Sequence, residues 1–198
     1  MLRKNRITAK TICDVGCGTG EVLKQLQEIL NNDCALLGYD ISPQAFELAK
    51  GRANGRLQFR LADFLEEQSN FDLILVLDVI EHLEDYFGFL RRLKARSHYK
   101  IFHIPLDLSV QTVFRKKALL KRRDLYAHVH YFTKETALRT LVDTGYEVLD
   151  YYYTPRSIDF GSELGEKLLK LPRKVCFAVH RDFAARFLGG FSLLVLAR

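Results

Sequence analysis

The sequence predicts an α/β protein built on a doubly wound, mostly parallel seven-stranded sheet with helices on both faces. Strand-like and helix-like segments alternate through about the first hundred of the 198 residues, which is typical of parallel sheets. The run FDLILVL at 71–77 is almost wholly apolar, as in strands buried on both sheet faces. A cluster of three glycines directly follows the first apolar run, at a predicted strand-to-helix junction.

The first elements are a strand, a helix and a second strand. Residues 11–15 (TICDV) form a short apolar run of the kind found in buried strands. The next apolar residues recur at helical spacing and so share one helix face: Val22, Leu26, Ile29 and Leu30. Residues 34–39 (CALLGY) are a second apolar run, which predicts the second strand and ends at Asp40.

A second helix and two further strands follow. Ser42 supplies an N-cap with Pro43 at the first helical position, and the predicted helix continues to about Lys50. Residues 57–61 alternate apolar and polar side chains, as a half-buried strand does. Residues 71–77 predict the fourth strand, and their continuous apolar character places it in the middle of the sheet.

The middle of the chain predicts a helix, a strand and a further helical segment. The helix extends from about 84 to 95, and the fifth strand covers residues 99–104 (YKIFHI). Pro105 ends that strand, because a proline cannot donate a hydrogen bond to the sheet. A helical segment from about 108 to 122 then precedes the closing part of the chain.

The closing elements are a helix and two strands. Thr133 can cap a helix that Gly145 ends, and residues 146–153 and 191–197 have strand patterns. The length of the chain matches one domain. We therefore expect a single domain over residues 1–198, with a lid-like helical insert and a basic insert at about 106–132 and 155–188.

Composition places the chain among ordinary globular proteins. Hydrophobic residues make up 48% and charged residues 27% of the sequence, so a disordered chain is not expected. The basic first residues lack the apolar segment of a secretory leader, and the longest nearly apolar run, 187–197, is too short to span a bilayer. The four cysteines form no C-x-x-C pair and predict reduced thiols, hence a cytoplasmic protein.

The stretch DVGCGTGE, residues 14–21, places glycines at positions 16, 18 and 20. Such glycines let the backbone approach a ligand closely and leave helix N-terminal N–H groups available to it. A tight turn is the simpler interpretation, but a turn does not need three glycines. A dinucleotide fingerprint would require glycine where the chain has Glu21, and a carboxylate there disfavours a pyrophosphate. A cofactor without phosphates fits better.

This stretch resembles motif I of the S-adenosylmethionine-dependent methyltransferases of the seven-strand, Rossmann-like class. Three later stretches extend the resemblance: GYDIS at the end of the second strand, LADF after the third, and FDLILVLDVIEHLED over the fourth strand and the following loop. The closing segments also resemble that family's last helix and closing antiparallel pair. The resemblance implies a transferase with an antiparallel last strand, with S-adenosylmethionine as cofactor and S-adenosylhomocysteine as product.

The resemblance also implies which residues hold the cofactor. Asp40 stands where the family's acidic residue binds the two ribose hydroxyls, a role that suits an acceptor-only carboxylate, and Asp63 with Phe64 stands where adenine is contacted. Taken alone, Asp40 could also be a helix-start acid and Asp63 a turn residue. The expected cofactor-binding set is Asp14, Gly16, Gly18, Gly20, Asp40, Ile41, Asp63, Phe64 and Leu77.

Two histidines are expected at the carboxyl edge of the sheet, beside the transferred methyl group. Methyl transfer from a sulfonium needs alignment and exclusion of water above all, although an oxygen acceptor gains from losing a proton. His82, accompanied by Asp78, is the predicted catalytic base, with a helix-capping histidine as the alternative interpretation. His103 lies between two apolar residues and is expected to be structural.

We assign no metal ligands from the sequence. The stretches DVIEHL and HVHYF do resemble metal-dependent members of the class, the small-RNA 2′-O-methyltransferases and the ubiquinone-pathway O-methyltransferases. If a divalent ion is bound, that resemblance implies Glu81, His82 and either His128 or His130 as its ligands, and carboxylate with imidazole suits several such metals.

Residues 109–132 are expected to cover the acceptor, because only about ten residues precede the first strand. Six of the nine residues at 115–123 are Lys or Arg. One interpretation is an amphipathic helix that packs its apolar residues on the core and leaves its basic face in water. The other is a basic, partly apolar cover that admits an anionic or lipid-like acceptor or rests on an acidic membrane surface.

The expected substrate is therefore a small or lipid-like acceptor, methylated at oxygen. The net charge of +6 favours anionic partners in general. Nucleic acid is the second choice, because stacking aromatics are few and no RNA-binding module is recognisable. A non-catalytic module that binds the cofactor or a partner is the alternative from another class. The sequence says nothing about the oligomeric state.

Overall fold

The computed structural model describes residues 1–30, 33–115, 117–155, 171 and 174–198. Its strands form one seven-stranded sheet in the order β3-β2-β1-β4-β5-β7-β6. The strand bounds are β1 Thr11–Val15, β2 Ala35–Asp40, β3 Leu57–Leu61, β4 Phe71–Leu77, β5 Ser97–Pro105, β6 Val148–Pro155 and β7 Phe191–Ala197. Strands β1 to β5 pair in parallel, and β7 runs antiparallel to both of its neighbours. The predicted sheet with its antiparallel last strand is confirmed.

Helices connect the strands and lie on both sides of the sheet. Their bounds are α1 Glu21–Ile29, α2 Pro43–Lys50, α3 Tyr86–Lys94, α4 Val110–Phe114, α5 Ala118–Tyr126 and α6 Lys134–Asp143. Turns of 3-10 helix follow β3 and β4, at Phe64–Glu66 and Ile80–His82. Before β7, a helical turn at Arg181–Phe183 continues as a π-helical turn at Ala184–Leu188.

Strand β4 shows why the sheet needs helices on both faces. Leu73 and Leu75 belong to one buried cluster with Leu23 of α1, whereas Ile74 and Val76 belong to the other, into which α3 and α6 pack. Successive side chains of a strand point to opposite faces, so a continuous apolar run requires a cover on each. The two helical layers follow directly from this strand.

The parallel pairing brings all strand ends of one kind to the same edge of the sheet. Strands β1 to β5 end at the carboxyl edge, and their following loops meet there. Because β7 is antiparallel, it begins at this edge, and β6 ends there. The glycine loop, the post-β4 loop, α4 and the turns before β7 therefore all lie at one edge, which is where open α/β sheets bind ligands.

The predicted bounds agree with the structure where the local signals are strong. Four strands have the expected limits: 11–15, 57–61, 71–77 and 191–197. The hydroxyls of Ser42 and Thr133 cap α2 and α6, as predicted. Pro105 is the last residue of β5 and stands opposite Ser192, so this strand ends one residue later than predicted.

The helical segment predicted at 108–122 is divided into α4 and α5. Ser109 and Thr112 form a capping box that starts α4. The chain becomes extended at Arg115, with φ −87° and ψ 96°, and α5 starts again at Ala118. The sequence did not show this break, because residues on both sides of it have helical spacing and no glycine or proline separates them.

The exposed residues of these helices contradict the interpretation that residues 109–132 form an amphipathic helix with its apolar side chains packed on the core. Phe114 is 83% and Leu120 60% exposed, whereas Arg122 turns inward to within 3.1 Å of the buried Asp107 carboxylate. A buried carboxylate without a partner is costly. The ion pair thus fixes the rotation of α5, and Phe114 and Leu120, which were expected to pack on the core, lie in water instead.

Two further expectations concern membranes and the basic insert. Within the described ranges, no helix is long and apolar enough to cross a membrane.

Of the basic insert predicted at 155–188, residues 156–170 and 172–173 lie outside the described residues. The remainder includes the exposed Val179 and the helical turns before β7.

Gly20 carries a specific packing requirement that a stability measurement can test. Its φ is +75°, and a Cβ there would lie 2.4 Å from Cζ of Phe59. We expect Gly20→Ala to lower the free energy of unfolding by about 1 to 3 kcal/mol, since a left-handed residue and an overpacked ring both destabilise. Urea denaturation measures this change.

The matched control is Gly51→Ala, at a helix end where φ is −65° and a Cβ would meet no atom within 4 Å. That substitution is expected to change stability by less than about 1 kcal/mol, and in the stabilising direction. Equal effects of the two substitutions would contradict the packing role of Gly20.

Candidate active site

The glycine loop between β1 and α1 is fastened to the end of β2. The backbone N–H groups of Gly16 and Cys17 donate to the carbonyl oxygen of Tyr39, at 2.8 and 2.9 Å. The N–H of Gly18 donates to Oδ2 of Asp40 at 2.7 Å. These bonds hold the loop and the acidic end of β2 as one unit at the carboxyl edge.

The Asp40 carboxylate is fixed through both of its oxygens. Besides the Gly18 bond, Oδ1 accepts a hydrogen bond from the N–H of Ser42 at 2.8 Å. Each carboxylate oxygen can accept more than one hydrogen bond, so the group keeps acceptor capacity for hydroxyls of a ligand. Asp40 is half-buried and faces a cavity, so its orientation is set before any ligand arrives.

That cavity, of about 320 Å³, lies over the ends of β1 to β4. Five of the nine residues predicted to bind the cofactor line it: Gly16, Asp40, Ile41, Asp63 and Phe64. Gly16 is required in this wall, because a Cβ there would lie 2.8 Å from Cγ2 of Val79 in the post-β4 loop. The size and the mixed polar and apolar lining match a small-molecule site.

Asp63 and Phe64 each make a structural contact and also line the cavity. Oδ1 of Asp63 accepts a hydrogen bond from the N–H of Leu65 at 2.8 Å and so starts the turn after β3. Phe64 is buried and packs edge-on against Tyr39, with ring centroids 5.2 Å apart. Asp63 is therefore a turn residue and also lines the cavity.

The other predicted cofactor residues lie outside the cavity lining. Asp14 is buried in β1, where burial and the nearby Asp40 carboxylate raise its pKa to about 8. Gly18 lies in the glycine loop, and a Cβ there would meet no atom within 4 Å. Gly20 packs on Phe59, and Leu77 is half-buried with the cluster on the α1 side.

The sequence did not indicate the wall contributed by α3 and the loop before it. Its lining residues are Val79, Leu83, Glu84, Asp85, Gly88, Phe89 and Arg92. Arg92 also donates to the carbonyl oxygen of Leu65 at 3.3 Å, which ties α3 to the turn after β3. A glycine inside a helix, here Gly88, is the signal that could have indicated a close approach at this wall.

Asp78 pairs with His103 and not with His82. Oδ1 of Asp78 lies 3.0 Å from Nδ1 of His103, and the other ring nitrogen, Nε2, lies 2.8 Å from the Thr154 hydroxyl. Both ring nitrogens of His103 are thus engaged, as expected for a structural histidine. Asp78 has a φ of +53°, a conformation that asparagine and aspartate adopt more readily than most residues.

His82 instead belongs to a cluster with Glu81 and His128. One potential ligand atom from each of the three side chains lies within 4.8 Å of the others. Glu81 and His128 are 0% and 1% exposed, whereas His82 opens to solvent. The His82 ring is held through Nδ1, which lies 3.2 Å from the carbonyl oxygen of Ala127. A carboxylate and two imidazoles in this arrangement can bind a divalent cation.

His130, the alternative third member, lies apart from this cluster. Its Nε2 is 3.3 Å from the carbonyl oxygen of Glu84, and its ring packs on Tyr86 at 4.5 Å between centroids. His128 is held by Asp107, with Nδ1 2.6 Å from Oδ2. Asp107 was not predicted, and no local motif marks it, because its partners lie 15 to 21 positions further along the chain.

The sequence profile of the methyltransferase domain family matches residues 2–151. The chain belongs to this family. The match covers β1 to β5 and therefore the glycine loop, Asp40 and the post-β4 loop. It confirms the family resemblance carried by the stretch at 14–21.

Curated relatives share only part of their length with this chain. The mitochondrial ubiquinone biosynthesis O-methyltransferase of Schizosaccharomyces pombe is 30% identical over 95 residues, which are 44% of this chain and 34% of that protein. The tRNA U34 carboxymethyltransferase of Campylobacter jejuni is 32% identical over 97 residues, 46% of this chain and 33% of that protein. The matched stretches thus span about a third of each relative.

A solved structure shows the same fold across nearly the whole chain. Magnesium protoporphyrin IX methyltransferase from Synechocystis PCC 6803, with bound SAH, superposes with a TM-score of 0.62 at 17% sequence identity. The superposition covers 94% of this chain and 72% of that one.

Asp14 gives the protein a distinctive dependence of stability on pH. Its pKa is about 8 in the folded protein and about 3.9 when unfolded. The stabilisation from this raised pKa is complete below about pH 4 and is lost as the pH rises to about 8. We expect the free energy of unfolding to fall by up to about 1.4 kcal/mol per pH unit in this window. Urea denaturation at several pH values measures the slope.

The variant Asp14→Asn cannot titrate at this position and is expected to show a flatter profile than the wild type. Asp33→Asn, at an exposed aspartate just before β2, is the matched control and should keep the wild-type slope. A wild-type slope in Asp14→Asn would show that this carboxyl is not responsible.

Proposed function

We propose that the protein is an S-adenosylmethionine-dependent methyltransferase, with residues 1–198 forming one methyltransferase domain. The observation that carries the proposal is the Asp40 carboxylate, oriented by Gly18 and Ser42 into the wall of a ligand-sized cavity. Family membership supports the same activity. The SAH in the Synechocystis structure supports the same cofactor.

Each wall of the cavity has a proposed task. With S-adenosylmethionine bound, Asp40 would accept the hydrogens of the two ribose hydroxyls, and the exposed Ile41 with the turn at Asp63 and Phe64 would border the adenine. The backbone of Gly16 and Gly18 would hold the methionine part. The cofactor supplies an activated methyl group on a sulfonium, and S-adenosylhomocysteine remains after transfer. The chain's contribution is alignment and exclusion of water.

His82 is the proposed base for a hydroxyl acceptor. Nδ1 lies within hydrogen-bond distance of the Ala127 carbonyl oxygen, and a neutral ring that donates there carries its lone pair on Nε2. The residue follows β4 at the carboxyl edge and is open to solvent. Asp78 is proposed to position His103, since the two side chains pair with each other.

Glu81, His82 and His128 form a second candidate arrangement, a site for a divalent cation. The hydrogen bond between His128 and Asp107 supports it, because metal-ligating histidines usually bond a carboxylate through the other ring nitrogen. A cation there would act as a Lewis acid toward the acceptor oxygen. The lone pair of His82 Nε2 can serve a proton or a metal but not both, so the two arrangements exclude each other.

The acceptor we propose is a small or lipid-like molecule, methylated at oxygen. The O-methyltransferase of S. pombe supports an oxygen acceptor, and exposed apolar residues on α4 and α5 support an apolar one. RNA is the second candidate, supported by the tRNA relative of C. jejuni and by the basic residues of this segment. Four free cysteines fit the reducing cytoplasm.

Cofactor binding tests the first part of the proposal. We expect Asp40→Asn to weaken binding of S-adenosylmethionine and S-adenosylhomocysteine by about tenfold to a hundredfold, since hydrogen bonds to a charged group are lost. Titration calorimetry measures the affinity, and a thermal melt checks the fold. Asp33→Asn is again the matched control. Undetectable binding by the wild type, or equal affinity in Asp40→Asn, would contradict the cofactor assignment.

Turnover tests the second part. The protein is incubated with methyl-labelled cofactor and fractionated lipid, small-metabolite and RNA extracts. We expect label in a lipid or small-molecule fraction, and a loss of about 10²- to 10⁴-fold in rate for His82→Ala, the range typical of a removed general base. Cofactor affinity should be unchanged in this variant.

A chelator separates the two arrangements around His82. A base mechanism predicts turnover that is insensitive to chelation, whereas the metal site predicts a loss that a divalent cation restores. Labelled RNA alone would favour the second candidate substrate. Cofactor binding without any labelled product would favour a non-catalytic module.

A further inference from the structure

The methyltransferase presents a large apolar and basic surface at the carboxyl edge of the sheet. We call it the α4–α5 surface, and it comprises α4, α5 and the helical region 174–188. Helix α4 contacts both α5 and residues 184–188, so the parts are continuous. The α4–α5 surface borders the same sheet edge as the cofactor cavity, because β5 ends and β7 begins there.

Large apolar side chains are unusually exposed on the α4–α5 surface. Phe114 is 83% exposed, and Leu120 and Leu125 are each 60% exposed. The neighbouring helical region adds a groove of about 580 Å³ lined by Val179, Phe183 and others. Exposed apolar residues that cluster in one patch mark an interaction site more often than scattered ones do.

An ion pair holds Leu120 outward. Arg122 occupies the inner side of α5 and pairs with the buried Asp107 at 3.1 Å. Side chains two positions apart point about 200° apart around a helix of 3.6 residues per turn, so Leu120 lies opposite Arg122. Turning Leu120 toward the core would leave the Asp107 charge without this partner, which is strongly destabilising. Leu125 follows Arg122 by three residues and is 60% exposed near the end of α5.

Basic side chains surround the exposed apolar ones. Arg115, Lys117, Lys121 and Arg123 are exposed beside Phe114 and Leu120, and α5 has one acidic residue, Asp124. Lys174 and Arg181 are exposed beside the groove. Apolar residues among cations are the composition of surfaces that insert shallowly into a bilayer and attract its anionic headgroups.

We propose that the α4–α5 surface docks on the acidic headgroup region of a phospholipid bilayer. The apolar side chains enter the boundary between headgroups and acyl chains, and the cations lie at the phosphate level. The cofactor cavity then opens beside the bilayer surface. The proposal depends neither on methyl transfer nor on the identity of the acceptor.

Two other occupants fit the same residues less well. RNA-binding surfaces use aromatic rings and arginine planes that stack on bases. Phe114 and Tyr126 offer such rings, but the equally exposed Leu120, Leu125 and Val179 have no flat face for a base. A second copy of the chain would bring like charges together, which disfavours association. An anionic bilayer satisfies both the charge and the aliphatic side chains.

Vesicle co-sedimentation of the full chain tests the proposal. The vesicles are phosphatidylcholine alone or phosphatidylcholine mixed with phosphatidylglycerol, at low and high salt. We expect binding to the acidic vesicles that weakens with salt. Phe114→Ser/Leu120→Ser should lower the partition coefficient by at least about tenfold, and Arg115→Glu/Arg123→Glu should abolish the preference for acidic vesicles.

Matched controls distinguish docking through this surface from non-specific adsorption to vesicles. Ile29→Ser changes an equally exposed apolar residue at the far end of α1, and Lys24→Glu changes an exposed lysine on the same helix. Both should bind vesicles like the wild type. S-adenosylhomocysteine affinity, measured on every variant, should stay at the wild-type value, which separates a failure of docking from a failure of the cofactor proposal.

Three results would overturn the proposal. Equal binding to neutral and acidic vesicles would remove the electrostatic part, and wild-type binding by Phe114→Ser/Leu120→Ser would remove the apolar part. Salt-dependent binding of single-stranded RNA that Arg115→Glu/Arg123→Glu abolishes, together with no vesicle binding, would assign the α4–α5 surface to nucleic acid.

Discussion

The buried carboxylate of Asp107 organises the acceptor side of the molecule. It follows β5 and contacts Arg122 of α5 on one oxygen and His128 on the other. Because an unpaired charge at such depth would be strongly destabilising, both partners are bound to it at once. The rotation of α5 and the place of His128 beside Glu81 and His82 thus have one cause.

The segment around His128 is anchored a second time, by the backbone of the post-β4 turn. The carbonyl oxygen of Glu81 accepts hydrogen bonds from the N–H groups of Val129 and His130, at 2.8 and 3.1 Å. The chain after α5 is therefore fastened to β4 as well as to β5. This double attachment gives a rigid frame to the cluster of Glu81, His82 and His128, as a site of catalysis or metal binding requires.

On the cofactor side the controlling constraint is the burial of one of two neighbouring carboxyl groups. Asp14 is buried beneath the glycine loop and its pKa rises to about 8, so it carries a proton at neutral pH. Asp40 lies at the cavity wall and accepts backbone N–H groups on both oxygens. Burial of one group and hydrogen bonding of the other give two similar residues different roles.

The sequence by itself determined the sheet, the glycine loop, Asp40 and the family, because strand and helix periodicity, caps and short motifs are local signals. Only the tertiary structure decided that Asp78 pairs with His103, that His128 and not His130 joins Glu81 and His82, and that Leu120 and Leu125 of α5 are exposed. The first two choices lie between residues of the same chemistry, two histidines in each case. Which of them meets a partner depends on distances between segments far apart in the chain, and on the cost of leaving the Asp107 charge buried without one.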